Sequence, residues 1–321
     1  MNTLDYLLEQ LKLTSSIFCQ LTLNGRWGLA KPRHHQGAPF HLVLSGTAWL
    51  RLPAARQLIA LKPDDMVMIP AGYYHELLSD PDAHPVDFTQ LLAGHGQPAA
   101  DPDAHFQSAR IILGEPGADQ TNVVTGIFNF DQALRNPLVN ALPDYLHLGA
   151  ADNPWLPPTL GLLVSELDAP LPGMRTIAVR LADILFVQGI RACLSRGEIF
   201  KAGWLNGLTD PQIAKSLALI HQSPDQHWSI ALLGQAVGMS RSRFAARFKT
   251  LLGQSPMRYL TEWRMYQAAE QLRASTIRLS QLAEQSGYES DVAFSKAFKK
   301  WSGCTPRAFR AGEQTKEHAP R

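Results

Sequence analysis

The chain has 321 residues, 45% of them apolar and 18% charged, with a formal net charge of +2 at pH 7. That length suits roughly two domains with a core each, and the composition argues against disorder of the whole. Three cysteines, Cys19, Cys193 and Cys304, are odd in number and far apart, which argues against a secreted disulfide framework and for a reducing compartment, here the cytoplasm.

The net charge hides an asymmetry. Residues 225–310 hold thirteen Lys/Arg against six Asp/Glu, and residues 1–224 hold fifteen against twenty. A polyanion is the expected partner of the basic end, with a solvated helical surface as the plainer alternative.

In chain order, the start MNTLDYLLEQLKL carries Asp5 and Glu9 where a signal peptide needs positive charge, and its leucines fall at helical spacing. No stretch is long and apolar enough to span a bilayer, so no membrane partner is expected. Residues ~15–130 are rich in Gly and Pro, with the β-prone runs FHLVL, TAWLRL, LIAL and MVMIP between turns, as in a barrel or sandwich. Residues ~137–222 change to apolar spacings of three and four in LPPTLGLLVSEL, MRTIAVRLADILFVQGIRACL and DPQIAKSLALIH, which predict helices. The break HQSPDQHW opens an all-helical region, and the tail GEQTKEHAPR is expected to fray.

The helical region repeats itself. GMSRSRFAARFKTLLGQSP and GYESDVAFSKAFKKWSGCTP match at Phe244/Phe294, Phe248/Phe298, Gly253/Gly303 and Pro256/Pro306, and their flanks match at Ile230/Leu279, Leu233/Leu282 and Gly234/Ala283. In each copy a short helix meets a turn at Gly238 or Gly287, and a second helix follows with two phenylalanines four apart. That is a helix-turn-helix unit with its aromatic stripe buried. The outer face of the second helix carries Arg241, Ser242, Ala245, Ala246 and Lys249 in the first copy, and Val292, Ala293, Lys296 and Lys299 in the second. Small residues let a helix sit deep in a major groove, and basic ones reach phosphate or guanine edges. The ~19 residues of SPMRYLTEWRMYQAAEQLRAS between the copies span about 28 Å as a helix, close to the ~34 Å of one DNA turn, so both units could face successive grooves.

SRSRFAARFKTLLGQSPMRYLTEWRM and GYESDVAFSKAFKKWSGCTPRAFR resemble the DNA-binding domain of AraC/XylS-type transcription regulators. The resemblance implies seven helices, base contacts from the second helix of each unit, promoter or operator DNA as partner, and recruitment of RNA polymerase. By position it places groove-facing roles on Ser242, Ala245, Ala246, Val292, Ala293 and Lys296.

FHLVLSG (40–46), AWLRL and LKPDDMVMIPAGYYHEL (61–77) resemble the cupin-type sensor of one branch of that family. Asp64 stands where the family pattern usually has glycine, which leaves the conformation of that turn open. The expected organisation is α+β and multidomain: a cupin-like β-barrel over 1–135, a helical connecting region over 136–209, an all-α double helix-turn-helix domain over 210–311, and a flexible tail over 312–321.

Cupins often hold a metal through histidines, and His34, His35, His41 and His75 are the candidates. Adjacent His34 and His35 would face opposite sides of a strand, so three inward nitrogens are hard to assemble. His41 and His75 are left as polar groups lining a ligand pocket for an effector, or as structural histidines. Some relatives sense oxidants through paired cysteines, but Thr125 stands where a thiol partner for Cys19 would be expected. Cys193 and Cys304 read as small buried residues.

No nucleophile motif, glycine-rich phosphate loop or carboxylate pair appears, so neither enzymatic activity nor a cofactor is expected. The leading expectation is an effector- or stress-responsive DNA-binding regulator. A metal-dependent cupin enzyme fused to a DNA-binding domain, and a constitutive DNA binder with a dimerisation barrel, are the alternatives. A homodimer is expected, with the helix 173–195 and its stripe Ile177, Leu181, Ile184 and Leu185 as candidate surface; packing against its own barrel is the competing role.

Overall fold

The computed structural model describes residues 14–34, 37–95, 107–117, 119–129, 142–168, 171–196 and 203–311. His35, the first thirteen residues and the tail 312–321 lie outside them. The described residues up to 196 belong to one compact unit and those from 203 onward to another.

The first unit holds eleven described strands in two sheets. One has the order β11 (Leu146–Leu148), β6 (Met66–Met68), β3 (Gly37–Ser45), β10 (Gln120–Asn129), β1 (Thr14–Asn24), β9 (Gln107–Leu113). The other runs β5 (Gln57–Leu61), β4 (Ala48–Leu52), β7 (His75–Leu78), β2 (Gly28–Lys31), β8 (Val86–Asp87). Each β-prone run of the sequence holds a strand, though Thr47, Ile69 and Pro70 fall outside theirs. AWLRL alternates buried and half-buried along β4, as a strand with one covered face must. The sheets enclose a core of Leu21, Leu23, Leu29, Val43, Leu50, Val67 and Leu77.

β3 is buried along most of its length because both its faces are covered. On one face Phe40 stacks on Phe128 at 4.3 Å between centroids, and Phe186 meets Phe128 edge-on at 5.3 Å. Phe186 belongs to α3 (Met174–Ser195), which pairs with α2 (Leu156–Asp168), while α1 (Phe88–Gly94) packs on the second sheet. Gly189 on α3 lets the helix approach closely, since a Cβ there would meet Leu148 Cδ1 at 3.2 Å. The expected stripe on α3 splits: Leu181 and Leu185 are buried with Ala178, Ala182 and Phe186, whereas Ile177 and Ile184, seven apart, stay exposed.

One turn positions the interior. Asp64 takes φ 64, a left-handed conformation that aspartate tolerates better than most residues other than glycine. Its neighbour Asp65 accepts from Lys62 N at 3.0 Å and Ala150 N at 3.2 Å and pairs with His147 at 3.0 Å. The 62–65 turn is thereby tied to the start of the helical segment.

The second unit is all helical: α4 (Trp204–Leu208), α5 (Pro211–Gln222), α6 (Ile230–Ala236), α7 (Arg241–Leu252), α8 (Pro256–Ala274), α9 (Leu279–Gln285), α10 (Asp291–Ser302) and α11 (Pro306–Arg310). Seven of these, α5 to α11, fall in residues 210–311, the number the resemblance implies. Trp263 and the four repeat phenylalanines are fully buried.

Candidate nucleic-acid interface

Both units of the repeat are bounded by the same chemistry. Ser240 caps α7 by accepting from Arg243 N, and Ser290 caps α10 by accepting from Ala293 N. Each helix ends on a left-handed glycine, Gly253 (φ 74) or Gly303 (φ 86), whose N–H donates to the carbonyl of Lys249 or Lys299. Ser255 and Thr305 then cap the next helix, and Pro256 and Pro306 begin it. From cap to proline, equivalent residues are fifty apart. Upstream the offset is forty-nine: Gly238 precedes its cap by two residues and Gly287 by three, so the additional residue lies in the second turn.

The phenylalanines seat both helices. Phe244 and Phe248 meet at 5.6 Å in the first, and Phe294 and Phe298 at 5.7 Å in the second. With that stripe buried, Arg241, Ser242, Ala246 and Lys249 are exposed and Ala245 is half-buried on α7. On α10, Val292 is 74% exposed, and Ala293, Lys296 and Lys299 are exposed with it. The structure thus puts all nine residues named from the sequence on the outward side of the two helices.

Sequence reasoning missed Arg247. Its Nε donates to Asp210 Oδ2 at 2.8 Å, and Asp210 Oδ1 accepts from Gln212 N and Ile213 N as the cap of α5. Burial opposes ionisation of this carboxyl, but bonds from Arg247, Ile213 and Gln212 outweigh it and hold Asp210 below the usual carboxylate range. The motif TDPQ signals a helix start, but no sequence pattern pairs it with an arginine 37 residues on. His221 and Tyr259, also unremarked, share a buried hydrogen bond at 2.8 Å beneath the first unit. Burial pushes His221 down to about 3.

In the first unit of the chain, strand register lines up Cys19, Thr125, His41 and Val67 across one sheet, and Lys31 and His75 across the other. His75 Nδ1 lies 2.7 Å from the Tyr73 carbonyl, which only accepts, so Nδ1 carries the proton and Nε2 is an acceptor. His41 Nε2, 2.8 Å away, donates to it. His41 Nδ1 then presents a buried lone pair without a hydrogen-bond partner. Lys31 Nζ, also buried, sits 3.5 Å from Thr125 Oγ1 and 2.8 Å from the centre of the Phe88 ring.

Burial holds Lys31 well below the ordinary lysine range. Burial first, then His75 and Lys31, hold His41 well below the usual imidazole range, and burial takes His75 down to about 4. Cys19 faces Thr125, and burial pushes its thiol up to about 11.

A cupin metal does not fit these residues. Two imidazole nitrogens on one tetrahedral ion lie about 3.3 Å apart, whereas His41 and His75 bond directly. Among the described residues no group of three His, Cys, Asp or Glu side chains could hold an ion. Also among them, no helix is long and apolar enough to cross a membrane.

A cupin family model matches residues 2–195 and a helix-turn-helix domain model residues 233–312. A protein of Streptomyces lividans named as an AraC-like transcription regulator is 33% identical over 316 residues, covering 97% of this chain and 98% of that one. The HTH-type transcriptional regulator AlkR of Acinetobacter baylyi is 28% identical over 314 residues, with 97% and 99% covered. Among solved structures, the DNA-binding domain of AdpA in complex with a target DNA is 30% identical, covers 32% of this chain and 92% of its own, and gives a TM-score of 0.31. With a cupin domain before two capped helix-turn-helix units, this chain belongs to the AraC-type DNA-binding transcription regulators.

Proposed function

We propose that the regulator grips double-stranded promoter DNA with α7 and α10 in successive major grooves on one side of the duplex. The observation that carries this reading is the pairing of two identically capped helices, small and basic on their outer faces, through the 19-residue helix α8. Arg241, Ser242, Ala245, Ala246 and Lys249 face one groove; Val292, Ala293, Lys296 and Lys299 face the other. Most are small or apolar, so methyl contacts, Lys296 and DNA shape carry much of the sequence preference.

On this reading the barrel senses a small molecule or stress and catalyses nothing. Its support is that the relatives are named as regulators. Residues 142–196, which fold with the barrel strands, carry the sensing signal toward the DNA-binding unit. The exposed pair Ile177 and Ile184 on α3, near exposed Leu171, suits a homodimer contact. Bound at a promoter in the cytoplasm, the protein engages RNA polymerase.

Footprinting the purified full chain on its own upstream region, with and without candidate effectors and oxidants, tests this. Two protected segments about one helical turn apart on one face are expected. A single short protected segment would contradict the two-groove arrangement, and effector-independent occupancy would remove the sensing role.

A further inference from the structure

We propose that Arg264, in the middle of α8, fixes the second recognition helix relative to the first and so sets which separation of the two DNA segments the protein accepts. This rests on the two-groove reading above. Arg264 is a positioning residue, acting through backbone at the entry to the first helix-turn-helix unit and at the turn of the second.

Its guanidinium reaches in two directions. Toward the first unit, Nε donates to the Pro224 carbonyl at 2.6 Å and Nη2 to the Gln226 carbonyl at 3.0 Å. That segment leads into α6 and is itself held, since Trp228 Nε1 donates to the Ser223 carbonyl at 2.9 Å. Toward the second unit, Nη1 donates to the Gly287 carbonyl at 3.4 Å, and the guanidinium carbon lies 6.0 Å from the centre of the Tyr288 ring. One planar fork therefore joins the entry to the first unit, the connecting helix and the turn of the second. A lysine ammonium, with no fixed fork, cannot hold three carbonyls at those directions.

Glycine chemistry supports this independently. A Cβ on Gly287 would come within 2.5 Å of Arg264 Nη2 and 2.8 Å of the Asp225 carbonyl, so the second turn packs against the fork with no room for a side chain. At Gly238 the nearest atom to such a Cβ is Gln212 Nε2 at 3.9 Å. The first turn is tied instead by neutral Gln212, whose Nε2 donates to the Val237 carbonyl at 2.8 Å. Only the second turn is joined by a charged group to the path of the other unit.

The test uses full-length protein and a duplex selected by the wild type from a random library, with footprinting to locate its two protected segments. Variants of that duplex carry one added base pair between the segments, or one segment scrambled. The wild type is expected to lose roughly a hundredfold in affinity on the added base pair, because one unit can then no longer engage. Arg264→Met should bind the unaltered duplex on the order of tenfold more weakly, keep near wild-type affinity for each single-segment duplex, and lose no more than about threefold on the added base pair. Arg264→Lys should fall between. Gly287→Ala should relax the spacing as Arg264→Met does, with an added loss of stability from its φ of 70 and the Asp225 carbonyl.

The proposal is overturned if the variants weaken all duplexes in the same proportion as each other, with or without a lower melting temperature, since a merely structural role does that. Should Arg264→Met not fold, Arg264→Lys and Gly287→Ala decide by the same affinity ratios. A wild type that protects only one segment overturns the two-groove reading and this proposal with it; a wild type that protects two while the variants keep its spacing penalty overturns this proposal alone.

Discussion

Asp210 Oδ2 accepts from Arg247 Nε at 2.8 Å while Oδ1 of the same carboxylate accepts from two backbone N–H groups at the start of α5. One side chain thus starts one helix and anchors a recognition helix.

Asp210→Ala should therefore destabilise the DNA-binding unit by about 1–2 kcal/mol, the usual cost of a lost cap, and weaken DNA binding as α7 loses its tether. The carboxyl is held below its ordinary range when folded. Its contribution is fully present above the unfolded value near 4 and is lost as pH falls through the lower folded one. Denaturant melts of wild type and variant should converge in acid; a gap that persists there would show the carboxylate is not the source.

Buried histidines add a second loss of stability in acid, one that begins at higher pH. His221 is pushed to about 3 and His75 to about 4, while an unfolded imidazole titrates near 6.5. Below 6.5 the unfolded chain takes up protons that the folded one refuses, so stability falls by about 1.4 kcal/mol per pH unit for each histidine until the folded value is reached. Urea melts between pH 7 and 5 should show this loss, and His221→Gln should flatten the share belonging to the DNA-binding unit. An unchanged slope in that variant would mean His221 is already charged when folded.

Phe244→Ala or Phe294→Ala should cost roughly 3–5 kcal/mol in its unit and abolish DNA binding by unseating a recognition helix. Both rings are fully buried. Thermal melts report the first effect and gel shifts the second; lost binding with an unchanged melt is the result that contradicts the seating role.

Lys296→Ala and Arg241→Ala should weaken binding in different ways. Lys296 lies two residues past Phe294 on the outer side of α10, where a long cation reaches a base edge. Its loss should cost about 1–3 kcal/mol at one base and flatten preference there. Arg241 opens α7 and suits a phosphate, so its loss should weaken all sequences alike and reduce the salt slope by about one. Binding-site selection on both variants decides the matter: a changed preferred sequence for Arg241→Ala alone reverses the two roles.

The repeat made the DNA-binding half legible because local signals there coincide with the fold: caps, left-handed glycines, prolines and phenylalanines all lie within one supersecondary unit. The strands were legible as runs, and the splitting of the α3 stripe follows from two faces that a single apolar count merges. The interior of the barrel was legible only in part. His41 and His75 could be named, but not their direct bond, because strand order places β3 opposite β7 only after the sheets are assembled. Lys31 was invisible for the same reason: in LAKPRHH it reads as the start of a polar loop, yet β2 carries it inward. Arg264 and Arg247 look like ordinary charges on helical surfaces, since their partners are backbone carbonyls and a cap from distant segments.

The fifty-residue register from cap to proline makes the two recognition helices interchangeable cassettes. Because Ser240 to Pro256 and Ser290 to Pro306 start and end their helices alike, the segment between cap and glycine in one unit has the same frame as in the other, apart from the Arg247–Asp210 tether that α7 alone has. The outer faces are thus free to diverge without disturbing the helix ends: Ser242 and Ala246 on α7 stand where α10 carries Val292 and Lys296. A chimaera with 241–252 transplanted into 291–302 inherits both boundary conditions. Operator preference in such a molecule becomes a matter of assembling two separately chosen words in a fixed order.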